Sequence, residues 1–330
     1  LKLRLAIGVF ISLILLYWVF RDVQWAPLWL TIKGINWWWL IPTILMTYLA
    51  LWVRAVRWRY LLIAEPKYAI GTLFPPTVIG FMANNVLPAR MGEFVRAYAV
   101  GRKVNISKTL SFATIVVERV LDGFTLLAFL LLIVVFAPLN IPPWLKYSGQ
   151  FMLAFYFTAL VVLIALKFWT VKMQKFLLKV LSFFPRALAA KGEKILNSFI
   201  LGLEVLKGGA NFFWALFYSP LVWTTVASIF FFMLLAFNIE LPLYASYLLV
   251  VILSLGMMIP SGPAYVGPFQ AAIVAGLLIF QVPKTQAQGF SIVFHATQFI
   301  PITLLGLFYF WAEKLTFKEI QRSQAEEGKS

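Results

Sequence analysis

The sequence predicts an all-α, polytopic membrane protein with six spanning helices and two re-entrant helical hairpins, arranged as two inverted-topology repeats. Three observations predict it. Of 330 residues, 62% are hydrophobic and only 12% are charged, and several apolar runs are long enough to cross a hydrocarbon core of about 30 Å. These runs are continuously apolar and rich in Leu, Phe and Val, whereas barrel strands alternate over about ten residues, so the helical class is the one that fits. Two further apolar stretches are short, broken at their centres by Pro and Gly, and recur at corresponding places in the two halves of the chain.

The formal net charge of +16 is spread between the apolar runs. That points to an anionic membrane surface as partner and away from nucleic acid. The aromatic content of 17% suits interfacial belts. With no cysteine and one histidine, His295, neither a disulfide, a thiolate metal site nor a histidine cluster is possible, and no metal or other cofactor is expected. The chain opens on Leu1, so its true beginning is expected to be missing.

Charge orients the elements. The first run, Leu5 to Phe20, follows Lys2 and Arg4, and the second, Trp37 to Val53, ends in Arg54, Arg57 and Arg59. The positive-inside rule makes both basic ends cytoplasmic, so residues 21–36 are an external connection. The stretch Ile70 to Leu87 cannot cross without placing Arg90, Arg96, Arg102, Lys103 and Lys108 outside. The following twelve residues, 89–100, rise only about 18 Å as a helix. A re-entrant hairpin over 70–100, turning near Asn84 to Pro88, removes both conflicts. Thr109 to Phe136 then crosses outward, residues 137–149 form an external loop, and 150–166 return. Residues 170–208 carry lysines and one arginine among Met173, Phe176, Leu177 and Val180, the pattern of a cytoplasmic amphipathic helix on the anionic leaflet. Residues 212–236 cross outward. The legs 243–258 and 264–280, joined by Pro260, Ser261, Gly262 and Pro263, form a second hairpin (243–281) entered from outside, and 289–311 cross inward to a cytoplasmic tail, 313–330.

Aligning "PARMGEFVRA" (88–97) with "PAYVGPFQAA" (263–272) matches Pro, Ala, Gly, Phe and Ala. The same offset carries Trp37 onto Phe212 and Thr109 close to the start of the last helix. Residues 1–136 and 150–312 are therefore read as inverted repeats, an architecture in which broken helices meet near the midplane around a substrate site. Both termini are expected in the cytoplasm.

Charge inside the membrane marks the candidate site. Pro88 suits the first position of the ascending helix, whose free N–H groups attract anions, with Arg90 in that first turn. Arg90, Glu93 and Arg96 follow at spacings of three, so they can form a ladder; a phosphate-binding role and a structural salt-bridge role are both open. Gly92 permits close helix approach. Asn84 and Asn85 can bind a headgroup or satisfy backbone at the turn. Glu118, Arg119 and Asp122 lie inside a spanning helix, where a proton or substrate relay and mutual neutralisation are both open. The second hairpin offers Gly267, Tyr265 and Gln270, all uncharged. His295 with Gln298 three residues on fits a helix-packing hydrogen bond.

The segments "LPARMGEFVRAY", "ERVLD" and "IPSGPAYVGPFQAA" together resemble the flippase-like membrane domain of lysylphosphatidylglycerol synthases and their stand-alone relatives, over nearly the whole chain. The resemblance implies movement of a modified phospholipid between leaflets of a prokaryotic cytoplasmic membrane. It places Pro88, Arg90, Gly92, Glu93, Arg96, Glu118, Arg119, Asp122, Gly267 and Gln270 at the site. The soluble synthase domain is expected to be absent after the last helix. Pro263, Ala264 and Gln270 stand where the family often has a glycine pair and a glutamate, so a lysylated lipid is not specified. The expected function is non-enzymatic: transport of an anionic-headgroup or modified phospholipid, with a separate lipid-modifying enzyme as possible partner. The alternatives are a membrane-embedded transferase using a lipid or polyprenyl carrier, or a non-transporting partner of such an enzyme.

Overall fold

The computed structural model describes residues 2–62, 68–87, 91–104, 106, 108–139, 142–168, 179, 193, 209–316 and 319. Its described elements are helical. In chain order they are α1 (Lys2–Phe20), α2 (Trp25–Lys33), a 3-10 turn (Trp37–Trp39), α3 (Leu40–Leu61), α4 (Ile70–Val86), α5 (Gly92–Val104), α6 (Lys108–Phe136), α7 (Pro143–Phe168), α8 (Gly209–Ala236), α9 (Leu243–Gly256), a 3-10 turn (Pro263–Tyr265), α10 (Pro268–Ile279) and α11 (Lys284–Ala312).

Four of these, the span Trp37–Leu61 that contains α3, together with α6, α8 and α11, are long and apolar enough to cross a membrane. The bent pair formed by α1 and α2 makes a possible fifth. The chain is a multi-pass membrane protein. The helices of the two broken stretches are shorter. At 1.5 Å per residue α5, α9 and α10 reach only about 18–21 Å, and α4 about 26 Å.

The elements form where local chemistry allows. The Asn36 side chain accepts from the Trp38 N–H and caps the turn that leads into α3. Pro75 and Pro76 in α4, Pro220 in α8 and Pro301 in α11 lie inside helices, tolerated because neighbouring helices and hydroxyls take up the freed backbone groups. Close approach depends on small residues: a Cβ on Gly80 would meet Arg96 Cβ at 2.8 Å, and Gly306 lies against Met82.

The packing order is α3 against α4 and α8 against α9, α4 against α5 and α9 against α10, α5 against α6 and α10 against α11. Across the halves α4 packs on α11, α9 on α6, α3 on α11, α8 on α6, and α3 runs along α8. Helix α1 packs on α10, and α2 on α11. The main core holds Phe230, Phe290 and Phe294, with Phe230 and Phe294 rings 4.4 Å apart.

Several expectations change. Residues 21–36, expected as an external connection, contain a helix, α2, bent 89° from α1. Leu28 of α2 is buried while Trp25, Trp29 and Leu30 stay exposed. The connection 137–149 is shortened because α7 already starts at Pro143. Where an ascending leg over 89–100 was expected, the described helix runs Gly92–Val104, and residues 89–90 lie outside the described residues. The second apolar run does not end at Val53; α3 continues to Leu61, and Arg54 and Arg57 lie inside it, buried. The amphipathic segment at 170–208 lies outside the described residues, apart from Lys179 and Glu193, as do Pro88 and Arg90.

Candidate functional site

Helices α3, α5, α6 and α8 bring a set of charges together inside the bundle. Glu118 on α6 is fully buried. Its Oε1 accepts from Arg96 Nη1 at 3.0 Å and from Arg119 Nη2 at 2.9 Å, and lies 3.3 Å from Arg57 Nη2. One turn on, Asp122 Oδ1 accepts from Arg57 Nη1 at 2.6 Å and from the Trp223 indole N–H at 2.9 Å. Its Oδ2 lies 3.2 Å from Arg119 Nη1. Arg57 also donates to Ser219 Oγ, and the Arg96 guanidinium sits over the Trp58 ring at 3.8 Å. Each carboxylate thus has more than one cation, as charges at this depth require.

The helix spacing explains the geometry. Glu118 and Asp122, four apart, share a face of α6, and Arg119 reaches Asp122 at a spacing of three, as expected from sequence. The ladder proposed on α5 does not form as drawn. Arg90 lies outside the described residues, and Arg96 pairs with Glu118 across the helix interface instead of with Glu93. Glu93 faces Asn84, whose Nδ2 lies 3.5 Å from its Oε1.

Asn84 is committed to the fold: its Oδ1 accepts from the Gly92 N–H at 2.8 Å and caps the described start of α5. Asn85 donates to Thr303 Oγ1 at 3.1 Å and ties the first hairpin to α11. Both asparagines therefore satisfy structure at the turn, while their side chains also face a cavity.

The second hairpin is built on a strained break. Ala264, Tyr265 and Gly267 have φ of 59°, 57° and 98°, a region disfavoured for the first two residues. Ser12 of α1 accepts from the Gly262 N–H at 3.0 Å. A Cβ on Gly8 would fall 2.7 Å from Ser261 O, and one on Gly267 2.5 Å from Ser12 O. Pro260, Gly262 and Pro263 lie in this break, with Pro263 opening its 3-10 turn. Gln270 accepts from the Gly267 N–H at 2.8 Å. That contact orients its amide so that the NH2 faces His295 Nδ1 at 2.8 Å, leaving His295 Nε2–H to donate to the Ala264 carbonyl at 2.9 Å. His295 is thus bonded to the hairpin rather than to Gln298, which pairs with Thr47.

All of this converges on one cavity of about 330 Å³. Asn84, Asn85 and Glu93 reach it from the first hairpin, Met257, Met258, Ala264 and Tyr265 from the second. Arg119 and Asp122 line it from α6, Arg54 from α3, Trp223 from α8, and His295 and Gln298 from α11. Arg96 and Glu118 stand behind the wall as its charge support, and Gln270 braces it through His295.

The sequence reading missed Arg54, Arg57 and Trp223. One signal was present. Arg54 lies fourteen residues beyond Leu40, about 21 Å along the helix, well short of the roughly 30 Å that a span requires.

The family described as the lysylphosphatidylglycerol synthase TM region matches residues 5–306. Among curated proteins, the UPF0104 membrane protein MJ1595 of Methanocaldococcus jannaschii is 33% identical over 85 residues, a quarter of this chain and a quarter of that protein. No solved structure matches significantly. With nearly its whole length matched and its intramembrane charges assembled at one cavity, the chain belongs to the family of the lysylphosphatidylglycerol synthase transmembrane region.

Proposed function

We propose that the protein translocates a phospholipid with an anionic or modified headgroup between the leaflets of a prokaryotic cytoplasmic membrane, acting as a transporter and not as an enzyme. The observation that carries this reading is the meeting of residues on either side of both breaks, Asn84, Asn85 and Glu93 with Met257, Met258, Ala264 and Tyr265, and of the charged face of α6 on one cavity. A headgroup crossing the hydrocarbon needs such a polar station, because charge exposed to lipid is expensive.

The packing supports inverted repeats. Exchanging α3, α4, α5 and α6 with α8, α9, α10 and α11 turns most helix pairs into other packed pairs: α4 with α11 becomes α9 with α6, and α3 with α11 becomes α8 with α6. On this reading α1, α3, α6, α7, α8 and α11 cross the membrane. The α4–α5 hairpin enters from the cytoplasm, the α9–α10 hairpin from outside, and both termini are cytoplasmic. Alternating access is movement of one hairpin-bearing half against the other.

The test is reconstitution into liposomes with headgroup-labelled anionic lipids, following exchange between leaflets. Wild-type vesicles are expected to exceed protein-free ones, and Asp122→Asn to slow transfer. Equal rates with and without protein across several anionic lipids refute translocation.

A further inference from the structure

Among the four arginines of the cluster, of which Arg54, Arg57 and Arg96 are buried and Arg119 is partly exposed, one is left over. Arg57, Arg96 and Arg119 each contact Glu118 or Asp122. Arg54 has no carboxylate partner among the described residues. It is 6% exposed, its guanidinium sits 5.1 Å from the centres of both the Phe81 and Trp223 rings, and its buried Nη1 has no hydrogen-bond partner. The side chain lines the central cavity. Among the described residues, and counting Glu93 at the same cavity, the cluster holds four guanidiniums and three carboxylates, one positive charge more than its counter-ions.

A buried cation without a counter-ion is costly. Two aromatic faces lower that cost without using the in-plane N–H donors. Trp223 also holds Asp122 through its indole N–H, so the same ring that supports Arg54 is fixed by the ion-pair network. The guanidinium is pre-positioned, and its unpartnered Nη1 suits an anionic oxygen. The remaining wall includes Leu126, Met152, Val226 and Leu253, which suits an apolar body attached to that anion.

We propose that Arg54 is the binding site for the phosphate of a phospholipid, held at the cavity by the guanidinium between Phe81 and Trp223. Only the source of the phosphate rests on the translocation reading; the shared chemistry is a phosphate oxygen on an unpaired guanidinium.

Native mass spectrometry of the detergent-solubilised chain tests this, with phosphatidylglycerol, diacylglycerol of equal chains, and inorganic phosphate as probes. Phosphatidylglycerol is expected to bind and diacylglycerol not to. Arg54→Gln should weaken phosphatidylglycerol about ten- to a hundredfold. Arg54→Lys, which keeps the charge without the planar fork, should fall between and serves where the glutamine variant does not fold. Arg102→Gln, which alters an exposed pair with Glu319, should bind as wild type. Wild-type affinity in every folded Arg54 variant, or equal binding of diacylglycerol, overturns the site. Arg54-dependent binding of inorganic phosphate with no lipid bound overturns the lipid assignment. Leaflet transfer on the same variants separates the two proposals. Transfer without Arg54-dependent binding refutes this site and leaves translocation standing; Arg54-dependent binding without transfer does the reverse.

Discussion

Glu118→Gln isolates the charge of one residue while keeping its shape and an acceptor oxygen. In the wild type three guanidiniums lie within 3.3 Å of Glu118 Oε1. At an effective dielectric of about 20, one such pair is worth about 4 kcal/mol, so three together are about 12 kcal/mol of gross attraction. Desolvation and repulsion among the arginines consume much of that. The net loss on removing one partner of a buried pair is about 3–5 kcal/mol, and the variant leaves Arg96 without the carboxylate it pairs with. The assay is chemical or thermal unfolding in detergent, with Glu93→Gln as a half-buried control expected to lose less than about 1 kcal/mol. A second prediction follows from the same geometry: adding Arg96→Met should recover part of the loss, because it removes the cation that Glu118 neutralised. If Glu118→Gln unfolds like the wild type yet abolishes lipid transfer, Glu118 is a relay and not a lock, and the reasoning fails.

Three other outcomes are expected. Gly267→Ala places a Cβ at a φ of 98° and 2.5 Å from Ser12 O, so it should destabilise the hairpin by more than about 1 kcal/mol; unchanged melting in detergent would contradict the clasp between α1 and the second hairpin. Asn84→Ala removes the cap on the Gly92 N–H at about 1 kcal/mol, so melting should fall for alanine, while Asn84→Asp, which keeps the cap acceptor but sets a second carboxylate against Glu93, should lower transfer of anionic lipid. Lys284, then Arg21, holds the Asp22 carboxyl below its ordinary value near 3.8 by hydrogen bonding. A depressed carboxylate contributes above its unfolded pKa and loses that contribution as pH falls through the folded one, so cross-linking between positions 22 and 284 should be constant from neutral pH down to about 4 and drop only below it.

The long runs and the two broken stretches were legible because apolar length and Pro/Gly interruption are local properties. The legs of the second hairpin, expected at 243–258 and 264–280, appear as helices at Leu243–Gly256 and Pro268–Ile279. The Arg119 to Asp122 contact was also legible, being set by helical spacing alone. Arg54 and Arg57 were not. An arginine near the end of an apolar run reads as an interfacial anchor until its partner is known, and Arg57 finds Asp122 65 positions away. For the same reason the α5 ladder failed: spacing allowed Glu93 to reach Arg96, but the fully buried Glu118 is a better counter-ion where water is excluded. His295 was expected to make a helix-packing hydrogen bond, and it bonds to Gln270 of α10; its second bond, to a backbone carbonyl exposed by the left-handed turn at Ala264, rests on a conformation that pattern alone does not reveal.

If the proposed repeat and translocation hold, the two halves are held by different forces, and that difference predicts which one moves. On the proposed repeat, Arg54, Arg57, Arg96, Glu118 and Asp122 correspond to Ile229, Phe232, Ala271, Val293 and Thr297. The first half is therefore locked by ion pairs that open only by separating buried charges. The second is packed through Phe230, Phe269, Phe290 and Phe294, whose contacts are individually weak and re-form after sliding. Its hairpin break is strained at Ala264 and Tyr265 and pinned by the Ser12 to Gly262, Gln270 to His295 and His295 to Ala264 hydrogen bonds. A strained segment held by hydrogen bonds and apolar contacts opens at lower free energy than one held by buried ion pairs. Hydrogen exchange in nanodiscs should accordingly find the amides of 262–270 exchanging before those of 93–100, with Ser12→Ala widening the gap. Slower exchange at 262–270 than at 93–100 would place the more readily opened segment in α5 instead, and the proposed translocation would then require the ion-pair network to break.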